Sequence, residues 1–418
     1  MAVVDGGRVL TSRAKHLGLI LCHLAWLGLG VAACAPELEL NGDRKVLGPQ
    51  VRWVASSGGG SHTCGLTDTG AGYCWGHGDG LGTESLTETC QTCDPLCRTW
   101  ACSIRPVRIA PRGAWVGVTA GDHFSCGLAS DGRAWCWGDD SHGNLGSGGV
   151  PGKDGAPGPA APADVPVAVA GNLAFSRLDS EGRLTCGLSL AGSAHCWGAV
   201  SASSHKATVF QPVAVAVGHT FTSLAVGSVR VCGLGAGGAA RCWGKAWLGS
   251  AWHDEPVLLP GAVTFTELSV GAEHGCGLDA AGRAWCWGRG ATGTGNPLGT
   301  GGSAQVGSGD SEVPQAVLGD RSYKAISANA ARTCAVASDG GLWCWGQRPG
   351  RAGGSAEPER ELAGQMFVRV SAGPPSCAVT AAGALWCQGE NGNGELGIGS
   401  VADVGSAWQP VSAPYLVE

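Results

Sequence analysis

Residues 121–148 read GDHFSCGLASDGRAWCWGDDSHGNLGSG. Two cysteines, Cys126 and Cys136, stand ten positions apart around Asp131-Gly132. Asp-Gly between short apolar runs is a hairpin signal. Positions equidistant from a hairpin turn face each other, with side chains on one side of the sheet. The two thiols are therefore placed to pair across the strands. Trp137 follows the second cysteine and points to the opposite face. A regular place on that face suits packing against a neighbouring unit.

The same spacing recurs along the chain. Cys64 and Cys74, Cys186 and Cys196, Cys232 and Cys242, Cys276 and Cys286, Cys334 and Cys344, and Cys377 and Cys387 are also ten apart, which makes seven pairs. Each pair is an expected cross-strand disulfide. Each has glycine six residues after its first cysteine and two after its second. Trp75, Trp197, Trp243, Trp287 and Trp345 match Trp137, and Gln388 takes that place in the seventh pair. An aromatic lies eleven residues before the first cysteine in six units: Trp53, Trp115, Phe175, Phe221, Phe265 and Tyr323. Phe367 lies ten before in the seventh. Pro106, Pro166, Pro212, Pro256, Pro314 and Pro358 stand nine before the aromatics of units two to seven. Unit one has no such proline, but the tail Trp408-Gln409-Pro410-Val411 matches Phe210-Gln211-Pro212-Val213. The tail thus reads as the opening strand of unit one, which implies a closed ring.

Each unit predicts a proline-led strand, an aromatic-led strand and a hairpin. Repeats of 43 to 62 residues with about four short strands suit propeller blades. The expected fold is all-β, a single seven-bladed propeller over residues 49–418 closed by the C-terminal strand. Its hairpins fall near 64–76, 126–138, 186–198, 232–244, 276–288, 334–346 and 377–389. A chain of 418 residues would otherwise suggest two or three domains. Gly is 73 of these residues without a Gly-X-Y period, which excludes collagen. Only 14% of residues are charged against 44% apolar, so a disordered chain is excluded. A net charge of −6 argues against general nucleic-acid binding.

The N-terminus predicts export. Arg8, Arg13 and Lys15 precede the apolar stretch LGLILCHLAWLGLG at 17–30. Val31-Ala32-Ala33-Cys34 follows, and resembles a bacterial lipobox whose cysteine is acylated after cleavage. The expectation is a signal peptide at 1–33, lipid on Cys34, a short tether at 34–48 and membrane anchoring through the lipid. The mature protein would then be extracytoplasmic, in the periplasm or on the cell surface. The chain has 20 cysteines; setting aside Cys22 and Cys34 leaves an even 18, as full pairing requires. Disulfides are the expectation in that compartment.

The phrase at 121–148, with GENGNGELGIG at 389–399, resembles the repeat of the regulator of chromosome condensation family. The resemblance spans roughly 48–418 and implies a seven-bladed propeller. Family members include exchange factors for a small GTPase, chromatin binders and a secreted bacterial β-lactamase inhibitor. The resemblance carries none of their functional residues over to positions here.

Three connections are long, with 32, 30 and 28 positions from the second cysteine to the next proline in units one, two and five. Equivalent loops emerge on one face, and such faces often bind. The first, 77–104, holds Cys90, Cys93, Cys97 and Cys102. Their spacing suits zinc or two disulfides, and an oxidising compartment favours disulfides in one of three pairings. The second and third, Asp139–Val165 and Arg289–Val313, are rich in glycine.

Gly233-Gly235-Gly238 and Gly392-Gly394-Gly397 have nucleotide-loop spacing, but lie within hairpin or glycine loop and open no helix. His62, His123 and His274 lie two or three residues before a first cysteine. Their expected role is a turn hydrogen bond. No catalytic constellation and no cofactor site is read. The leading expectation is a lipid-anchored propeller that binds a protein partner through its loop face. Alternatives are an exchange-factor-like regulator and a carbohydrate-binding propeller, the latter using tryptophans such as Trp135, Trp285, Trp343, Trp100 or Trp247.

Overall fold

The computed structural model describes residues 51–414, apart from 84–87, 92–98, 111–113, 152–156, 159, 201–206, 248–250, 291–295, 302–309, 350–352 and 403. The signal peptide, Cys34, the tether, Cys93 and Cys97 therefore lie outside the described residues. Among those described, no helix is long and apolar enough to cross a membrane.

Seven antiparallel sheets make a ring of seven blades. In blade two, Trp115–Ala120, Phe124–Ala129, Ala134–Gly138 and Ala163–Ala168 are hydrogen-bonded in that order. The first strand of every blade touches the first strands of its two neighbours, and those of blades seven and one meet to close the ring. These strands line the axis.

The proline-led strands do not open their blades. Each pairs with the hairpin before it and, except in blade one, lies outermost; Val167 opposes Cys136, for example. Proline has no amide to donate, so it is confined to edges and bulges. Pro166 occupies both: its strand is an edge, and the register slips between Ala163 and Val167. The tail strand Gln409–Pro410 accordingly completes blade seven, with Gln409 opposite Cys387, rather than opening blade one. Gly138 sits at the same slip with φ of +102°. That conformation accounts for the glycine two residues after each second cysteine. At the turn only Gly132 has positive φ (+83°), and its amide bonds Ala129 O. The loop is therefore a three-residue turn ending in a left-handed glycine.

The seven recurring cysteine pairs face each other directly across their hairpins and are disulfide-bonded. Cys64 is joined to Cys74 in blade one, Cys126 to Cys136 in blade two and Cys186 to Cys196 in blade three. Cys232 is joined to Cys242, Cys276 to Cys286, Cys334 to Cys344 and Cys377 to Cys387 in blades four to seven. In every one the Cα atoms are 4.1 Å apart. Each bridge closes a short loop, worth ~3 kcal/mol in the chain-entropy account. An eighth disulfide joins Cys90 to Cys102, which selects one of the pairings open to the four cysteines of the first long connection. The segment 77–104 is only partly loop. Thr99–Arg108 is one long strand, and Glu88–Gln91 pairs along it to give blade one a fifth strand.

The recurring tryptophans form the seams. Trp75, Trp137, Trp197, Trp287 and Trp345 are fully buried. Trp137 Nε1 donates to Gly80 O of blade one at 2.8 Å. The equivalent bonds are Trp197 to Asn144 O, Trp345 to Pro297 O and Trp75 to Glu395 O. In three of these seams a hydroxyl donates to the same carbonyl: Ser125 to Gly80, Thr333 to Pro297 and Thr63 to Glu395. The accepting loops carry a buried leucine, Leu81, Leu145, Leu298 or Leu396, and then a left-handed glycine. A Cβ on Gly82 would come within 2.8 Å of Trp137, so the loop lies flush on the indole. The long connections are thus first a packing device. Blades one, two, five and seven have such a loop, and each places it on the next blade around the ring.

We predict a contrast between two tryptophans. Trp287 is as buried as Trp137, but its indole N–H has no partner among the described residues. Trp137→Phe should cost about 1 kcal/mol more in denaturant unfolding of the oxidised protein than Trp287→Phe, the net worth of one hydrogen bond. Equal losses would show that ring volume alone, not the loop carbonyl, holds the seam.

Candidate binding face

The connection between a blade's first two strands and the connection between its last two leave the sheet at the same end. All three long connections therefore emerge on one face of the ring. The hairpin turns, such as Asp131-Gly132, occupy the other face.

The axial channel opens onto the loop face between acids. Asp179 and Glu181 end the first strand of blade three, Phe175–Glu181. With Asn329, Ser57, Ser269 and Ser327 they border a polar cavity of about 100 Å³. Val226 N donates to Asp179 Oδ2 at 2.7 Å, and Ser180 N donates to Oδ1 at 3.0 Å. Asn329 Nδ2 donates to Glu181 Oε2 at 2.7 Å. Both acids are partly exposed along the channel. Its narrow bore nevertheless strips them of bulk water and raises both pKa values, Asp179 to about 6 and Glu181 to about 8. The charges of Asp179 and Asp122 add to the rise at Glu181. At the opposite end burial raises Glu267, countered by a hydrogen bond from the Ile326 amide and then by Arg369 and Arg177. The channel thus runs from an acidic mouth on the loop face to a mixed one on the turn face.

The histidines do not close turns as expected. His62 Nε2 reaches Ser125 Oγ at 2.6 Å, and His274 Nε2 reaches Thr333 Oγ1 at 2.8 Å. Both bridge to the next blade, to hydroxyls that bond the loop carbonyls. Full burial pushes each down to about 3, so both rings are neutral at physiological pH. Arg230 and Arg332 hold the same sequence place in blades four and six. Arg230 donates to Lys245 O, Ala246 O and Ala272 O; Arg332 donates to Gln347 O and to Gln388 Oε1. Gln388, which stands where the seventh tryptophan is missing, is thereby paired. These arginines were visible as a column of the repeat, two residues before the first cysteine, but their sign of charge gave no hint of burial.

The proposed stacking tryptophans are covered. Arg133 lies over Trp135 at 5.9 Å, Arg283 over Trp285 at 5.6 Å and Arg321 over Trp343 at 3.8 Å. Trp285 Nε1 also donates to Asp279 Oδ2. Trp247 packs edge-on against Trp287 with Arg230 4.2 Å from its ring, and caps the seam of blades four and five, where no glycine loop falls among the described residues. Trp100 has no described side chain.

Comparison with known proteins agrees with this architecture. Residues 115–144 and 265–293 match the Regulator of chromosome condensation (RCC1) repeat. No curated protein matches over the sequence. Among solved structures, human WBSCR16 is similar with TM-score 0.63 and 16% identity, over 78% of this chain and 85% of that one. Prp20p of Saccharomyces cerevisiae gives TM-score 0.59 and 18% identity, over 76% and 80%. The CRINKLY WD40 ectodomain of the Arabidopsis thaliana receptor kinase ACR4 gives 0.50 and 18%, over 87% and 99%. At these identities the likeness is one of fold.

The channel acids generate a pH prediction. Glu181 titrates near 8 in the fold and near 4.5 when unfolded, so ionising it opposes folding, most strongly above about pH 8. Glu181→Gln keeps an oxygen for Asn329 and should raise the Tm clearly at about pH 8.5 and little at about pH 5. An equal shift at both pH values would show that the acid is not strained by burial.

Proposed function

We propose that this propeller of RCC1-type repeats is an exported, lipid-anchored interaction module that engages a protein partner through its loop face. The observation that carries the reading is the convergence of three long connections and the acidic channel mouth on one face. The fold itself suits a protein-interaction or regulatory role. Prp20p, its structural neighbour in yeast, has been characterised for binding to Gsp1p and histones. Eight disulfides among the described residues fit an oxidising compartment rather than the cytosol. That compartment argues against exchange on an intracellular GTPase. The signal at 1–33 and Cys34 supply the route out and the anchor. The recurring residues serve packing, which favours a binding module over an enzyme. The arginine-covered tryptophans make a sugar-stacking surface the weaker reading.

Two measurements test this. Intact mass of the membrane-extracted protein should begin at an acylated Cys34, with none of the sixteen disulfide-bonded cysteines alkylated before reduction. Photo-crosslinkers at Asp139 and Arg289 on the loop face should give a defined partner adduct in the producing cell. The same group at Asp131 or Asp279 on the turn face should give none. Equal labelling from both faces, or an uncleaved chain with free thiols, would overturn the proposal.

A further inference from the structure

We propose that His77, Asp79 and His123 form a site for a divalent late first-row cation of the zinc class at the seam of blades one and two. One ligand atom from each residue lies within 4.8 Å of the others. His77 ends the strand Gly72–His77, and Asp79 sits in the single turn Gly78–Gly80 that follows. His123 comes from the neighbouring blade, in the turn before the strand Phe124–Ala129. The three converge on the loop face, where His77 is half-buried and the other two are exposed.

The geometry suits a metal better than a salt bridge. His77 Nδ1 and Asp79 Oδ2 are 3.5 Å apart. A charge-assisted hydrogen bond would close to ~2.8 Å. A tetrahedral site with bonds of ~2.1 Å has ligands about 3.4 Å apart. The two imidazoles stand edge to face with centroids 5.8 Å apart. Two imidazoles and one carboxylate favour zinc-class ions, whereas calcium takes six to eight oxygens.

The surroundings orient the ligands. Ser61 Oγ donates to Asp122 O at 3.2 Å, which commits its proton. It lies 3.2 Å from His123 Nδ1, so it accepts that N–H. That leaves Nε2 as the unprotonated nitrogen of His123, the one a cation would take, as in a metal-ligating histidine whose other nitrogen is held. The turn carrying Asp79 is fixed as well, because Gly80 O accepts both Trp137 Nε1 and Ser125 Oγ. The ligands therefore sit on two rigid elements. Their open side leaves the remaining coordination to water.

The test uses the untagged, oxidised protein, stripped with chelator and with any free thiols blocked by iodoacetamide. Zn²⁺ calorimetry should show one strong site, and Co²⁺ should give a visible band of an imidazole–carboxylate site. His123→Ala and Asp79→Asn should each weaken binding at least tenfold, and Ser61→Ala about tenfold with all three ligands present. Zn²⁺ should raise the Tm of the parent and not of His123→Ala. All three residues are at the surface or seam edge, so circular dichroism of the metal-free variants should match the parent. Absence of binding by the parent at millimolar Zn²⁺ would overturn the site. So would binding that survives unchanged in both His123→Ala and Asp79→Asn.

Discussion

A backbone carbonyl shared between blades holds this ring together. Gly80 O receives an indole N–H and a hydroxyl from the next blade, and Pro297 O and Glu395 O do the same at their seams. A four-stranded sheet cannot bury both its faces alone. The tryptophan supplies the apolar area, and the carbonyl sets where it lies. Because such a carbonyl is buried, leaving it unbonded would cost about 1–3 kcal/mol. The loop, its leucine, its left-handed glycine and the opposing hydroxyl are all consequences of that one requirement.

At two seams where no glycine loop falls among the described residues, the same demand is met by other means. Between blades four and five, Arg230 bonds three carbonyls and Trp247 covers Trp287. Between six and seven, Arg332 bridges to Gln388. A buried guanidinium has to fill its donors, and the carbonyls left by a short connection fill them. The ring is consequently irregular around its circumference. The long connections and the His77–Asp79–His123 cluster fall on one face because that face carries both kinds of connection.

Disulfides and seams divide the stabilisation. Each of the seven recurring bridges, from Cys64 with Cys74 to Cys377 with Cys387, lies within one hairpin, so none links blade to blade. Blades are thus stapled units, and opening the ring has to break a tryptophan seam. The buried neutral histidines sit at two of these seams. Their protonation in the unfolded chain below about pH 6.5 weakens folding as pH falls, while the channel acids act in the opposite sense.

The sequence by itself determined the number of blades, the hairpins, the cysteine pairs within them and the role of the tryptophans. All of these are local or periodic: a pairing ten residues long and a motif repeated seven times are readable without the third dimension. The phase of the proline strands was not, because the repeat reads the same whichever hairpin the strand joins. Only the missing amide and the register slip at Pro166 decide for the preceding one. Nor was the packing role of the long connections legible, since Leu145 and Gly146 acquire it only by meeting Trp197. The axial acids and the His77–Asp79–His123 cluster depend wholly on the ring. Glu181 and Asn329 are 148 positions apart, and His77 and His123 stand on different blades. Closure of seven units around one axis is what brings them within bonding distance.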